Sequence, residues 1–591
     1  LKKKSSVSGF KQNSDYIETD NKADFSLIFK PVKKYWRQGF VLVVITIIAG
    51  LMAYPAPLIY RYLVDKVILA KNMEMLPWAV LAVALVRILS QLLNTIMNYL
   101  GSLFNRNTVL FIREELTDRM LSLPQSFFDR NSPGYIMTRI ESDIGGIGWL
   151  LSSSPLRIIE NFIKLIGGLV LLFYLEWRAG FAAAVVMPFF IIISHFFSKR
   201  QYALATHHSE EYAKSGGSME ESISNINTVK ALAEENNFKS RIMNHYHRLF
   251  HLGIEQHALN SFYQIIVNFF PQIARFLLLL FGGIWIIKGE WTLGSLLAAQ
   301  AYIGFVFAPV QSLANANIHY QKSLASLKRL SQFYKITPEY NPGGREIKKL
   351  TGKVTFENLS FAYEAGRDVL KSISFTAAPG EKIALCGESG TGKSTLISLL
   401  MRFYLPSSGK ILFDGIDAGE YDLKHLRRRI AYVSQQPELF TDTIAANIRL
   451  NNTAASDEEI LQAIETAGLV KFIAERKDGI NSMLEDKGAN LSIGQKKRLI
   501  IARALVSESD IMIFDEPTAE LDNETSHEIL NKLNEAVKGK TLFVITHDPI
   551  VAEFCDKSLF IIKGHLENFA PHNEMLKVSP EYRQLFQIGG K

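Results

Sequence analysis

The feature that most limits this chain is the grouping of its long apolar runs, all of which lie before residue 311: Phe40–Ile59, Leu76–Tyr99, Ile158–Leu175, Ala179–Phe197, Ile265–Ile287 and Leu293–Val310. At 1.5 Å of rise per helical residue, runs of this length can cross a hydrocarbon core about 30 Å thick. They predict six helical spans, although isolated polar residues interrupt some of them. The 591 residues are 48% hydrophobic and 21% charged, which is the average of a strongly apolar half and an ordinary soluble half.

The spacing of the spans sets a topology. The connections at Leu69–Glu74, Glu176–Arg178 and Lys288–Trp291 are short, whereas Gly101–Arg157 and Ser198–Gln264 are long, polar and helical in pattern. An even span count places the N-terminus, both long excursions and the C-terminus on one side. Arg106, Arg113, Arg119, Arg130, Lys199, Arg200, Lys214 and Lys230 crowd that side, so it is expected to be cytoplasmic. These flanks account for the net charge of +7, from 65 basic and 58 acidic residues. No base-reading motif accompanies the charge, so no nucleic-acid partner is expected. The two cysteines, Cys386 and Cys555, are too few for a disulfide framework or a cysteine-built metal site and suit a reducing cytosol. Residues 1–25 are polar and mixed in charge, without the apolar core of a secretory signal, so insertion is assigned to the internal spans. The chain begins with Leu1 rather than Met, which leaves open whether an upstream segment was removed.

Pro338, Pro342, Gly343 and Gly344 lie in a polar stretch, Thr337–Gly352, that marks a boundary. Beyond it, short β-rich runs alternate with amphipathic helices, the pattern of an α/β domain. Strands are expected at Val354–Leu359, Lys382–Cys386, Ile430–Val433, Ile511–Phe514, Leu542–Ile545 and Ser558–Ile562. The organisation read from the sequence is an N-terminal polar segment (1–25), a six-helix transmembrane domain with long cytoplasmic extensions (26–336), a linker (337–350) and a nucleotide-binding domain (351–591).

That last assignment comes from the residues after the strand Lys382–Cys386. Gly387, Glu388, Ser389, Gly390, Thr391, Gly392, Lys393 and Ser394 form a phosphate-binding loop that opens a helix at Thr395. Glycines let backbone N–H groups converge on phosphates at the positive end of a helix. Lys393 supplies a point charge to the β and γ phosphates and Ser394 a hydroxyl to Mg²⁺. A second element, Ile511–Glu516, is an apolar strand ending in two acids. Asp515 is placed to hold Mg²⁺, and Glu516 to take a proton from an attacking water.

Asn490-Leu491-Ser492-Ile493-Gly494-Gln495, before the acid pair, resembles the signature of ATP-binding cassette (ABC) proteins. The resemblance covers Thr351 to Phe586, and the six-span region resembles the transmembrane domain of exporter-type half-transporters. It implies an exporter-type transmembrane domain fused to an α/β P-loop domain, with cassettes paired head to tail around two ATP molecules. Ser492, Gly494 and Gln495 would then face the γ-phosphate held by the partner's loop. The resemblance further assigns Tyr363 to adenine stacking, Gln435 to Mg²⁺ and water, Asp522 to the acid crossing the dimer, and His547 to the γ-phosphate. Ile493 departs from the family glycine, and Glu520 from the Leu or Ala-type residue before Leu521-Asp522; neither removes a phosphate ligand. Leu484–Gly488 matches only loosely the element that exporters place against the membrane domain. Leu123–Asn131 with Gly134, and Thr228–Leu232, resemble the two intracellular loops that transmit cassette closure to the spans.

The resemblance implies ATP hydrolysis driving efflux of a lipid or lipid-linked molecule, a peptide or a hydrophobic compound, from a multi-pass protein of the cell (inner) membrane. An importer on the same architecture, and an ATP-gated channel or sensor, are the alternatives; Glu516 and His547 argue against the second. Complete catalytic motifs favour a homodimer over a heterodimer. Membrane lipids are the surrounding partner. Two polar stripes, Gln264, Asn268, Gln272, Arg275 and Arg87, Gln91, Asn94, Asn98, recur at helical spacing and are expected either to face the dimer interior or water, along a solute path, or to hydrogen-bond between helices.

Overall fold

The computed structural model describes residues 23–587 apart from 132, 340–342, 365 and 519–522, with the backbone alone for some further helical residues. Asp522, Glu520, Leu521, Pro342 and most of the N-terminal polar segment lie outside the described residues. The described chain forms two compact units, Ile17–Leu121 with Pro133–Lys335, and Ser122–Ser132 with Ile336–Lys591.

The first unit is helical. Its long helices are Leu76–Leu121, Ser154–Leu175, Trp177–Ser224, Glu235–Ile287 and Leu293–Lys335. Five segments among the described residues are long and apolar enough to cross a membrane, and a sixth apolar stretch, Trp177–Ile193, is shorter. The 46-residue and 53-residue helices run far past their apolar windows, so the excursions continue the spans as the polar helical pattern implied. The first span is not one helix, as the unbroken apolar run suggested. Trp36–Leu51 ends, and a new helix, Pro55–Tyr62, starts with Pro55 at its first position, where a missing N–H costs nothing. A wider turn, Leu63–Ile68, follows and carries Asp65.

Asp65 ties the first span to the last. Its Oδ1 accepts the Gly294 N–H at 2.8 Å and its Oδ2 accepts the Thr292 hydroxyl at 2.6 Å, capping the helix Leu293–Lys335. Gly294 is required here, because a Cβ would sit 2.6 Å from the Arg61 carbonyl oxygen. That last helix is also the centre of the apolar core: Ala298, Ala299, Tyr302, Val306 and Phe307 are buried against Leu172, Phe190, Tyr263 and Val267. Small residues allow close approach of helices where apolar surroundings offer little hydrophobic drive. Glu160 and Lys164 pair one turn apart at 2.5 Å.

Two residues of the polar stripes bond within their own unit. Asn98 accepts from Arg157 at 2.7 Å and Asn94 bonds the Ser90 carbonyl one turn back. Arg87, Gln91, Asn268 and Gln272 are exposed.

The second unit holds two sheets. Strands β1 (Val354–Ala362), β2 (Asp368–Ala377), β4 (Ser408–Phe413) and β5 (Ile416–Asp417) form an antiparallel sheet ordered β2-β1-β4-β5. The other sheet is ordered β10-β9-β3-β8-β7-β6, from β3 (Lys382–Cys386), β6 (Ile430–Val433), β7 (Ile511–Asp515), β8 (Thr541–Ile545), β9 (Lys557–Ile562) and β10 (His565–Ala570). All its pairings are parallel except that of β10 with β9. Every residue of β7 and β8 is buried, as a parallel strand covered on both faces demands. Parallel strands present all their C-terminal ends to one edge, which is where a doubly wound sheet binds ligands.

Candidate nucleotide site

The loop after β3 is shaped by its glycines. Gly387, Gly390 and Gly392 have φ of +150°, +82° and +106°. A Cβ on Gly387 would lie 2.6 Å from the Ile561 carbonyl oxygen, and one on Gly392 would lie 2.6 Å from Leu370 Cδ2. The helix that follows is Lys393–Leu400, two residues earlier than the start read from the sequence. Lys393 Nζ donates to the carbonyls of Gly387 and Glu388 at 2.6 and 2.7 Å, which draws the ammonium over the loop. Burial holds its pKa below the ordinary lysine value, while the carboxylates of Glu516, Asp515 and Glu388 oppose that shift. Glu388, Ser389, Gly390 and Ser394 are exposed, with Ser394 presenting its hydroxyl at the start of the helix.

Three residues from the ends of three adjacent strands meet beside this loop. Gln435 follows β6, Glu516 follows β7 and His547 follows β8. Gln435 Nε2 donates to Glu516 Oε2 at 3.0 Å, and His547 Nδ1 faces Glu516 Oε1 at 3.1 Å. Glu516 sits at φ +49°, in the left-handed region, with its N–H bonded to the Ile545 carbonyl at 3.0 Å. That conformation turns the side chain out of the strand direction toward its two partners. The neighbouring Asp515 is 7% exposed, and burial pushes its carboxyl up to about 6, with the Glu516 charge adding to the shift and Lys393 and Lys497 opposing it. Because Gln435 donates through nitrogen, its amide oxygen stays available to a cation or a water. The donor set of Ser394 hydroxyl, Gln435 amide and Asp515 carboxylate is all oxygen, which suits a hard cation such as Mg²⁺.

Tyr363 lies next to the same loop. Its hydroxyl is 3.2 Å from Thr395 Oγ1, which is buried, and its ring is partly exposed. The ring meets Phe361 and Tyr404 edge to face at 4.9 and 5.1 Å. The signature residues behave differently. Ser492 caps the helix Ile493–Val506: its Oγ accepts the Gln495 N–H at 3.2 Å, and Gln495 Oε1 accepts the Ser492 N–H at 3.0 Å. Ser492 and Gln495 therefore bond each other rather than the loop 387–394. Gly494 lies in the first turn, whose N–H groups have no partner inside the helix. Ile493, 52% exposed, lines a cleft of about 370 Å³ with Gln435, Gln436, Pro437, Lys496, Lys497 and Glu516.

Two residues were missed in the sequence. Lys497 is 4% exposed, and its ammonium lies 3.4 Å from the Glu516 carbonyl oxygen. In the sequence it is the middle residue of the basic run Lys496-Lys497-Arg498, and nothing there sets it apart from its two basic neighbours. Tyr404 has no local signal at all. Cys386, directly before the loop, is fully buried and its thiol is pushed up to about 12 by burial, in keeping with a packing residue.

Comparison with known proteins agrees with this architecture. Residues 40–310 match the family described as ABC transporter transmembrane region, and residues 370–519 match ABC transporter. An ATP-dependent lipid A-core flippase of Vibrio vulnificus (strain CMCP6) is 30% identical over 518 residues, covering 87% of this chain and 88% of that protein. Another, of Syntrophus aciditrophicus (strain SB), is 29% identical over 566 residues, covering 95% and 94%. A solved bacterial Atm1-family ABC exporter with ATP bound aligns with a TM-score of 0.83 at 24% identity, over 94% of this chain and 98% of that one. This chain therefore belongs to the ABC transporter family, as an exporter-type half-transporter with one transmembrane region and one cassette. It is a multi-pass membrane protein that binds and hydrolyses ATP to drive efflux.

Proposed function

We propose that the exported solute is a lipid or lipid-linked amphiphile and that two copies of this chain form the working transporter. The solute class is supported by the likeness to lipid A-core flippases over nearly the whole chain. The pairing is supported by Arg87, Gln91, Asn268 and Gln272 of the polar stripes, which are exposed and would be costly against lipid. It is supported as well by signature residues that do not reach their own phosphate loop.

The observation that carries the catalytic reading is the Gln435–Glu516–His547 cluster at the ends of parallel strands beside the loop 387–394. In that reading Lys393 and the loop N–H groups hold the phosphates and Tyr363 stacks on adenine. Ser394, Gln435 and Asp515 hold Mg²⁺, which when bound neutralises phosphate charge. Glu516 orients the attacking water and accepts its proton, while His547 fixes the Glu516 carboxylate and reaches the γ-phosphate. Ser492, Gly494, Gln495 and Asp522 act across the dimer on the partner's nucleotide. ATP favours the closed cassette pair, and that differential affinity supplies the free energy for reorienting six spans whose excursions and cassettes lie in the cytoplasm. The home proposed is the cell (inner) membrane.

The test is ATPase stimulation of the protein in lipid vesicles across lipid, peptide and drug panels, followed by transport of each hit. Stimulation by lipid-linked amphiphiles with outward flux supports the proposal. Stimulation by peptides alone, or inward flux, refutes it.

A further inference from the structure

The cassette-containing unit includes the segment Ser122–Ser132 of the first long excursion, and a chain of contacts runs from one end of that segment through the cassette and back to it. The Glu339 N–H donates to the Ser122 carbonyl at 2.9 Å. The Glu339 carboxylate pairs with the Arg427 guanidinium through two bonds of 2.7 and 3.0 Å. Arg427 in turn donates to the carbonyls of Met401 and Arg402, each at 3.1 Å, and lies over the Phe403 ring. From there the chain returns to the excursion, because the Tyr404 hydroxyl donates to Asp129 on the short helix Gln125–Arg130.

Tyr404 stands where two routes from the nucleotide converge. The first is covalent: the helix Lys393–Leu400, whose N-terminal end holds Lys393 and Ser394, closes with Arg402 at φ +54°, a left-handed residue that turns Phe403 and Tyr404 off the helix axis. The second is a packing route, in which the Tyr363 ring meets the Tyr404 ring edge to face at 5.1 Å while Tyr363 touches Thr395. At the far end, Asp129 is fixed on both oxygens, by Tyr404 on one and by Gln125 Nε2 at 2.9 Å on the other. A hydrogen bond from a hydroxyl to a carboxylate is directional and strong. It can therefore pass on a small rotation of the ring as a displacement of the short helix.

We propose that Tyr404 is the residue through which nucleotide occupancy of this cassette is passed to the first excursion, with Asp129 as its receiver. It is a positioning residue, acting through Tyr363 on one side and Asp129 on the other. The inference rests on the reading of Tyr363 and 387–395 as the nucleotide site.

Hydrogen exchange of the full chain in lipid vesicles tests it, with Mg²⁺ and a non-hydrolysable ATP analogue as probe. In the wild type the analogue should slow exchange about tenfold both at 387–400 and at 125–130. Tyr404→Phe and Asp129→Asn should keep the first effect and lose the second to within about twofold of the nucleotide-free rate, with unchanged melting temperature. A purely structural role would alter 125–130 with or without nucleotide. Asp129→Asn leaves the cassette side untouched, so the inference stays testable if Tyr404→Phe folds poorly. Nucleotide-dependent protection of 125–130 at wild-type strength in both variants overturns it, as does a wild type protected at 387–400 alone. No protection at 387–400 in the wild type removes the nucleotide site itself, and this inference with it.

Discussion

Glu516→Gln isolates proton acceptance from everything else the side chain does. Its two oxygens meet Gln435 at 3.0 Å and His547 at 3.1 Å. In the variant, the amide oxygen keeps the Gln435 bond and the new NH₂ group faces His547 Nδ1, which accepts it once the imidazole proton moves to Nε2. One neutral hydrogen bond replaces one charged contact at a site where His547 is mostly exposed, so the cost to folding should stay near 1 kcal/mol. The loop 387–394 is untouched, and MgATP should bind with affinity close to wild type. Turnover is another matter, because removing a positioned general base costs a factor of about 10²–10⁴, or roughly 3–5 kcal/mol of barrier. The assay pairs single-turnover hydrolysis with nucleotide retention after rapid desalting, and adds the distance between spin labels on two cassettes. Glu516→Gln should accumulate as a closed, ATP-loaded pair, whereas Lys393→Ala should bind poorly and stay open. Turnover within about tenfold of wild type, with binding intact, would refute the role of Glu516 as base.

Gly392→Ala should abolish nucleotide binding or destabilise the cassette by more than about 1 kcal/mol, since the new Cβ meets Leu370 in a left-handed backbone; calorimetry and nucleotide titration read both. The Asp515 carboxyl, raised to about 6, is half protonated at that pH, so Mg²⁺ must displace a proton below it and apparent metal affinity should fall up to about tenfold per pH unit from 6 to 5; a flat pH profile would contradict this. Asp65→Ala should lower the melting temperature of the protein by removing the cap on Leu293–Lys335, a loss of about 1–3 kcal/mol, and Asp65→Asn should recover part of it. Cysteines introduced at Asn131 and Ser218 should resist a membrane-impermeant thiol reagent in intact cells while one at Asn72 reacts, and the reverse pattern would invert the topology.

How much of this was legible depends on how local each signal is. The strands β3, β6, β7 and β8 were readable because a parallel strand buried on both faces is a continuous apolar run. The loop 387–394 and the acid pair sit at the ends of such runs, so position and chemistry reinforced each other. β2, β4, β5 and β10 were not read as strands: β2 alternates buried Leu370, Ile373, Phe375 and Ala377 with exposed polar residues, and its apolar content is diluted by half. The break in the first span was written in Tyr54-Pro55-Ala56-Pro57, but the surrounding apolar run hid it. Tyr404 and Asp129 could not have been paired from sequence, because 275 residues separate them and Tyr404 lies in no motif, although Asp129 falls in the stretch Leu123–Asn131 that resembles an intracellular loop.

The backbone at Glu516 has a consequence for how this protein would respond to selection. A non-glycine residue at φ +49° carries conformational strain of about 1–2 kcal/mol, and here that strain aims the carboxylate at its partners. Glycine at 516 would release the strain and also discard the carboxylate. A library screened only for heat resistance should therefore enrich glycine and asparagine at 516, and the most durable survivors would be the ones that can no longer turn over ATP.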